Sequence, residues 1–383
     1  MSKKRLWIFL FLIVFINGFE IGGYQASLYE IGRTYDLSIT NMGFFAAAEL
    51  LATMLAPIIL GNWADRTDKV KSILILLCIQ TVFSLSIIFG GNEIVFIAGI
   101  FFLGLTTSAL QFISIAAVAE RYPVSGKKKI GFITSMYAFG AFTAPLAVSF
   151  YLDRNADWKL LFLLIAIGTV VAAAGVFLFR NEEREQTAKT DEDKVKSGLF
   201  VISGVLLLCA VMFIYVGFEN GFAFFIDTMF KDVFQSSLGK YALSIFWAVM
   251  IPSRILVGML SRHSTKILLM SVIAIPVVTV GLSFSTSGMI VMILCVPLSL
   301  FCGAIYPSVL ITLVDFAKGN RTATATAMIT AATGLGGVTF TALTGVLAGS
   351  FGIRAAICSL AAFFAVSIVC VICAIRLHNR YTR

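Results

Sequence analysis

Long apolar runs broken by short polar stretches dominate the chain. Runs of about 20 apolar residues cross a bilayer as a helix. Twelve such spans are predicted, at about 6–28, 41–61, 72–90, 94–119, 129–151, 159–179, 199–227, 241–260, 267–284, 288–315, 322–347 and 354–376. Irregular backbone facing lipid would leave polar groups unsatisfied, so the spans imply an all-α bundle. The short alternating segments of an outer-membrane barrel are missing. The first run follows a basic start but is long and ends without a small-residue cleavage site, so it reads as a retained first helix.

Composition agrees with this pattern. The chain is 59 % hydrophobic and 13 % charged, with a mean hydropathy of +0.96; a soluble domain carries about twice that charged share. The net charge of +9 is a topology signal. Most Lys and Arg fall before the first span or in the loops after the even-numbered spans, which places both termini on the cytoplasmic side. No groove-lining pattern of basic and aromatic residues points to nucleic acid. All seven Cys lie inside spans, so Cys370-x-x-Cys373 reads as packing. His263 and His378 are too sparse for a metal site. With no Gly-rich phosphate loop and no nucleophile–base set, neither ATP use, catalysis nor a cofactor is expected.

The longest polar stretch, Arg180 to Ser197, divides the spans six and six. It implies an N-terminal bundle at 1–180, a cytoplasmic linker at 181–197 and a C-terminal bundle at 198–383. The halves also match each other. Gly18-Phe19-Glu20-x-Gly22 in span 1 aligns with Gly217-Phe218-Glu219-x-Gly221 in span 7. Gly61-x-x-x-Asp65-Arg66-x-x-Lys69 aligns with Gly258-x-x-x-Arg262-His263-x-x-Lys266 at a nearly equal offset.

The stretch Gly61 to Lys71 reads as a charged turn whose Gly lets two helices approach closely. It resembles the Gly-x-x-x-Asp-Arg-x-x-Arg/Lys loop joining the second and third helices of the major facilitator superfamily. Asp157-Trp158-Lys159, Tyr306-Pro307-Ser308 and Gly334-Leu335-Gly336-Gly337 are also similar to that family. Tyr215-Val216-Gly217-Phe218-Glu219, with Arg254, is similar to its fucose and glucose/galactose proton-symporter branch. The resemblance implies twelve transmembrane helices in two pseudo-symmetric six-helix bundles around a central cavity lined by spans 1, 4, 7 and 10. It also implies gating by Gly61, Asp65, Arg66, Lys69 and Glu120. Asp65 would face the positive N-terminal end of span 11, and Arg66 and Lys69 would pair with Glu120. The exporter signature, a Gly-Pro pair in span 5, is split here as Gly140 to Pro145.

Acids at membrane depth are costly and usually face a cavity or a partner. Glu20 lies about 22 Å along span 1 from the inner surface, and Glu49 about 18 Å above the inner loop. Asn17, Glu20 and Tyr24 share a helical face. Span 7 offers Tyr215, Glu219 and Phe222, with Asn220 beside them. Span 4 offers Ser108 and Gln111, and span 10 offers Tyr306. Burial favours the protonated acid, so Glu20, Glu219 and Glu49 are the proton-coupling candidates. The plainer readings stand beside this one: Glu20 or Glu219 bonds to a neighbouring helix, and Glu49 pairs with Arg254. The expectation is a monomeric, proton-coupled symporter of a small polar organic solute in the cytoplasmic membrane. An exporter of amphipathic or cationic compounds is the alternative; a non-transporting receptor or scaffold is the alternative of another class.

Overall fold

The computed structural model describes residues 5–122, 126–182, 201–317 and 321–381. Most of the expected linker, 183–197, lies outside them. The first half contains α1 (Leu6–Thr34), α2 (Ile39–Arg66), α3 (Lys69–Phe89), α4 (Glu93–Arg121), α5 (Gly126–Leu152) and α6 (Leu160–Phe179). The second contains α7 (Ile202–Phe234), α8 (Gly239–Met259), α9 (Ser264–Ser283), α10 (Gly288–Phe316), α11 (Arg321–Phe351) and α12 (Ile353–Tyr381). All twelve are long and apolar enough to cross a bilayer, so the protein is a multi-pass integral membrane protein. Large apolar side chains such as Ile58, Phe89, Leu178 and Val277 point outward, as lipid-facing residues do.

The helices form two compact units. One comprises Met1–Asp36 and Ala48–Asp191, the other Leu37–Ala47 and Glu192–Arg383. The first turns of α2 thus group with the second unit, where the Thr40 hydroxyl donates to the Gly345 carbonyl at 3.3 Å. In the first unit α1 packs on α5, α6 and α4, and α3 packs on α4 and α6. In the second, α7 packs on α11, α12 and α10, and α9 packs on α10 and α12. The same scheme recurs six helices later, which is the repeat seen in the sequence.

Lipid tails are as apolar as the side chains, so helices associate in a membrane through close packing of small residues. A Cβ added to Gly18 would lie 1.9 Å from the Tyr137 carbonyl oxygen of α5. The counterpart crossing is as tight, since a Cβ on Gly336 of α11 would lie 2.0 Å from the Phe213 oxygen of α7. Gly61 behaves otherwise. A Cβ there would meet nothing within 4 Å, which corrects the expectation of a close helix approach at this residue. The charged stretch is also hardly a turn. α2 runs on to Arg66 and α3 starts at Lys69, leaving Thr67 and Asp68 between them. Asp68 caps α3 by accepting from the Lys71 N–H at 2.9 Å.

Several helices run on past the spans that hydropathy marks, furthest α1, to Thr34, and α7, to Phe234. In α7 the charge of Asp227 does not end the helix, because its carboxylate accepts from the Lys240 ammonium at 2.7 Å and both side chains are buried. The buried positions Phe224, Phe225, Ile226, Met229 and Phe230 carry the packed face onward.

The start of α1 is held by a distant acid. The Glu182 carboxylate accepts from the Arg5 N–H at 2.7 Å and the Leu6 N–H at 2.9 Å. These are donors that the first turn of a helix leaves without intrahelical partners. Tyr122, at the end of α4, donates to the same carboxylate at 2.7 Å. Burial and the adjacent Glu182 charge push the Tyr122 phenol well above its ordinary range, so it remains a donor.

The glycine crossings generate a direct expectation. Gly18→Val and Gly336→Val should each abolish the single symmetric peak of detergent-solubilised protein in size-exclusion chromatography. Gly61→Val and Gly258→Val, both at open positions, should retain it. Equal behaviour of all four variants would show that the crossings do not depend on glycine.

Candidate functional site

Within the first unit two acids meet. Glu20 of α1 and Glu49 of α2 are both fully buried, and their carboxyl groups are close neighbours. Gly104 of α4 makes room for them: a Cβ there would lie 2.7 Å from the Glu49 carbonyl oxygen and 3.0 Å from its Cγ. One turn further along α4, the Thr107 hydroxyl stands beside Glu20. Gln80 of α3 donates its Nε2 to the Thr107 Oγ1 at 3.0 Å. Asn17 donates its Nδ2 to the Thr107 carbonyl at 2.9 Å. Tyr24, one turn above Glu20, lies near both carboxyls.

Donors and acceptors do not balance here. Among the described residues, with both acids ionised, none of their four oxygens has a hydrogen bond, and the Asn17 Oδ1 and Gln80 Oε1 oxygens likewise have none. Two carboxylates at this separation repel strongly, and a buried acceptor without a donor costs about 1–3 kcal/mol, more when charged. One proton placed between the carboxyls removes the repulsion and supplies the missing donor.

The second unit treats its equivalent acid differently. The Tyr215 hydroxyl donates to the Glu219 carboxylate one turn along α7. Arg254 of α8 lies beside both groups and beside Tyr306 of α10. Glu219 therefore has a donor and a nearby positive charge, whereas Glu20 has a second acid. Within its own unit, Glu49 has Glu20 as its ionisable neighbour, and Arg254 has Glu219.

The remaining expected cavity residues separate. Tyr306 is 36 % exposed, and Gln111 is half-buried. The Ser108 hydroxyl is engaged with the Thr53 carbonyl at 3.0 Å, tying α4 to α2. Asn220 bonds back to the Val216 carbonyl of its own helix at 3.0 Å. Phe222 is a correction: it is fully buried, stacked on Phe218 and tilted against Phe246, so it belongs to the packed core. Of the gating set, Lys69 reaches Glu120 at 2.8 Å, and Arg66 is exposed. The Asp65 side chain lies outside the described residues.

Thr107 and Gln80 were not singled out from the sequence. Gln80 carried a signal, an amide in the middle of an apolar span, where polar groups are costly. Thr107 carried none, because hydroxyls are common in membrane helices and usually bond to their own backbone.

The family model described as Major Facilitator Superfamily matches residues 10–298. The glucose/mannose transporter GlcP of Bacillus subtilis (strain 168) is 23 % identical over 255 residues, 61 % of this chain and 60 % of the relative. The match thus spans about 60 % of that curated relative's length. A bacterial homolog of the human lysosomal transporter Spinster, in an inward-facing and unoccupied conformation, superposes with a TM-score of 0.85 at 13 % identity, covering 100 % of this chain and 99 % of the other. The D-xylose-proton symporter superposes with a TM-score of 0.74 at 12 % identity, covering 96 % of each chain. Twelve spanning helices, a packing scheme repeated six helices apart and the family match together lead to one conclusion: the chain belongs to the major facilitator superfamily of membrane transporters.

Proposed function

We propose that this protein is a proton-coupled secondary transporter that carries a small polar organic solute, by symport and alternating access. The observation that carries the reading is the buried Glu20–Glu49 pair, whose oxygens make no hydrogen bond among the described residues. Holding one proton, the pair has a net charge of −1. A buried unpaired charge is strongly unfavourable in a low-dielectric interior, so this state favours access to water. A second proton neutralises the pair and removes that penalty, allowing the loaded protein to change its facing. Proton uptake on one side and release on the other then drive the cycle.

A monosaccharide is the solute class this reading favours. The names of the glucose/mannose relative and the xylose–proton symporter support it. Glu219, Tyr215 and Arg254 supply the acceptors and donors that sugar hydroxyls require, and the partly exposed Tyr306 supplies an aromatic face. The Lys69–Glu120 pair, by resemblance, belongs to an inner gate. Positive residues concentrated on one side support a reading in which both termini are cytoplasmic and the protein resides in the cytoplasmic membrane.

Proteoliposomes with an imposed pH gradient test the coupling. A monosaccharide panel should show concentrative uptake by the natural chain, and Glu20→Gln should abolish it while solute exchange without a gradient persists. The amide preserves the shape but cannot release a proton. Continued accumulation against a gradient by the variant would remove Glu20 from the coupling role.

The gate has its own test. An exposed ion pair is worth about 0–1 kcal/mol, so losing it shifts a conformational equilibrium by up to about five-fold. Lys69→Glu should lower turnover by a few-fold, and the charge-reversed pair Lys69→Glu with Glu120→Lys should restore most of it. Unchanged turnover in the single variant would show that this pair does not gate.

A further inference from the structure

Four helices of the first unit bring a surplus of oxygen atoms to one buried place. Asn17 and Glu20 lie three residues apart on α1 and so share a face. The Thr107 carbonyl can only accept, so the Asn17 amide turns its nitrogen to α4 at 2.9 Å and its oxygen elsewhere. Gln80 of α3 likewise donates its Nε2 to the Thr107 Oγ1 at 3.0 Å. One turn back along α4, Gly104 packs against the backbone oxygen and Cγ of Glu49. Asn17, Gln80 and Glu49 are thereby held against one turn of α4, about 5 Å of its length. Glu20 adjoins Asn17 along α1 and Glu49 across the helix interface. All four side chains are fully buried. Among the described residues, six of their oxygens make no hydrogen bond: both of Glu20, both of Glu49, the Asn17 Oδ1 and the Gln80 Oε1. None of the ion pairs formed by the described residues involves either acid. The neighbouring Thr106 hydroxyl, by contrast, is satisfied by its own helix, bonding the Phe102 and Leu103 carbonyls.

We propose that this pocket is a sodium site, in which Na+ binds among the Glu20 and Glu49 carboxyl oxygens, the Asn17 Oδ1 and the Gln80 Oε1 as a coupling ion. The inference rests on the alternating-access reading above and adds a second ion to the site assigned there. A proton shared by the acids supplies one donor and leaves the two amide oxygens unserved. A hard cation is held by oxygen ligands, carboxylates and amide carbonyls among them, and so uses all four side chains. Charge selects a monovalent ion. Two carboxylates this close repel strongly, and with one shared proton the pair carries −1. Sodium brings the pocket to zero, the same neutral state that a second proton produces. A divalent ion beside that proton would leave +1 in a low-dielectric interior, which is strongly unfavourable. In loading, Na+ exchanges its hydration water for the pocket oxygens, and no covalent bond forms or breaks. In release, water on the other side takes the ion back. The resident proton stays on the pair, shared between the two carboxyls.

Radioactive sodium tests the site without any solute. Purified protein in detergent at neutral pH should bind the ion saturably, one per chain. Gln80→Leu and Asn17→Leu keep both acids and remove one amide oxygen each. Each should weaken binding by about ten-fold, the scale of one lost contact to a charge. Glu20→Gln and Glu49→Gln should each weaken it further. Thr106→Val, beside the pocket but outside its ligand set, should bind as the natural chain does. Exchanging choline chloride for sodium chloride at constant ionic strength should raise the melting temperature of the natural chain, and that of Gln80→Leu much less. Melting in choline alone shows which variants keep their fold. In proteoliposomes at equal pH on both sides, an inward sodium gradient should drive concentrative monosaccharide uptake. Three results would overturn the sodium site: no saturable sodium binding by the natural chain, unchanged binding in folded Gln80→Leu and Asn17→Leu, or a sodium gradient that drives no uptake where a pH gradient does. Sodium-driven uptake with none driven by a pH gradient in sodium-free medium would instead overturn the proton-coupled reading and leave the sodium site standing.

Discussion

One constraint governs the first unit: two buried acids lie close together and, among the described residues, no basic side chain is paired with either. Each carboxylate alone would be expensive at membrane depth, and together their repulsion forbids joint ionisation. A structural ion pair would have placed a Lys or Arg against Glu20, as Lys240 is placed against Asp227. The buried Asp227–Lys240 pair shows that this chain can satisfy an acid when the acid serves only the fold. Glu20 and Glu49 are left to each other, and a proton is the simplest group that satisfies them.

Close helix packing makes that arrangement possible. Gly18 brings α1 onto the backbone of α5, and Glu20 follows two residues later, turned toward α2 and α4. Gly104 then clears the space that the Glu49 backbone and side chain occupy. The repeat places Gly217 and Glu219 equivalently in α7, where Gly217 lies against Phe340 and the Gly336 carbonyl of α11. The scaffolds of the two units therefore agree while their chemistry diverges: acid with acid in the first, acid with phenol and guanidinium in the second. Divergence of this kind fits a duplicated unit in which one copy handles the coupling ion and the other a polar solute.

Much of this was legible in the sequence. Hydropathy located every helix, since length and composition alone decide whether a segment can cross a bilayer. It set the end of α7 at Asp227 because an unpaired charge should end a span, and the partner, Lys240, lies beyond the next turn. Glu20 and Glu49 stood out singly as acids in apolar runs. Their meeting did not, because linear spacing reports the face of one helix and says nothing of which helix it meets. The same limit explains Phe222, which shares a face with Glu219 by spacing yet points into an aromatic core. It also explains Gly61, whose place in a family motif suggested a crossing that the open space around it does not show. Thr107 escaped notice because a threonine in a membrane helix is ordinary until its hydroxyl is seen to leave its own backbone.

The shared proton can be observed directly. Infrared difference spectra of the protein in lipid bilayers, recorded at neutral pH with hydrogen–deuterium exchange, report the carbonyl stretch of protonated carboxyl groups. A proton shared by the pair gives a band from a buried protonated acid that Glu20→Gln and Glu49→Gln each alter, while Glu219→Gln leaves it in place. A spectrum with no protonated carboxyl at neutral pH, or with a band that answers only to Glu219, would contradict it.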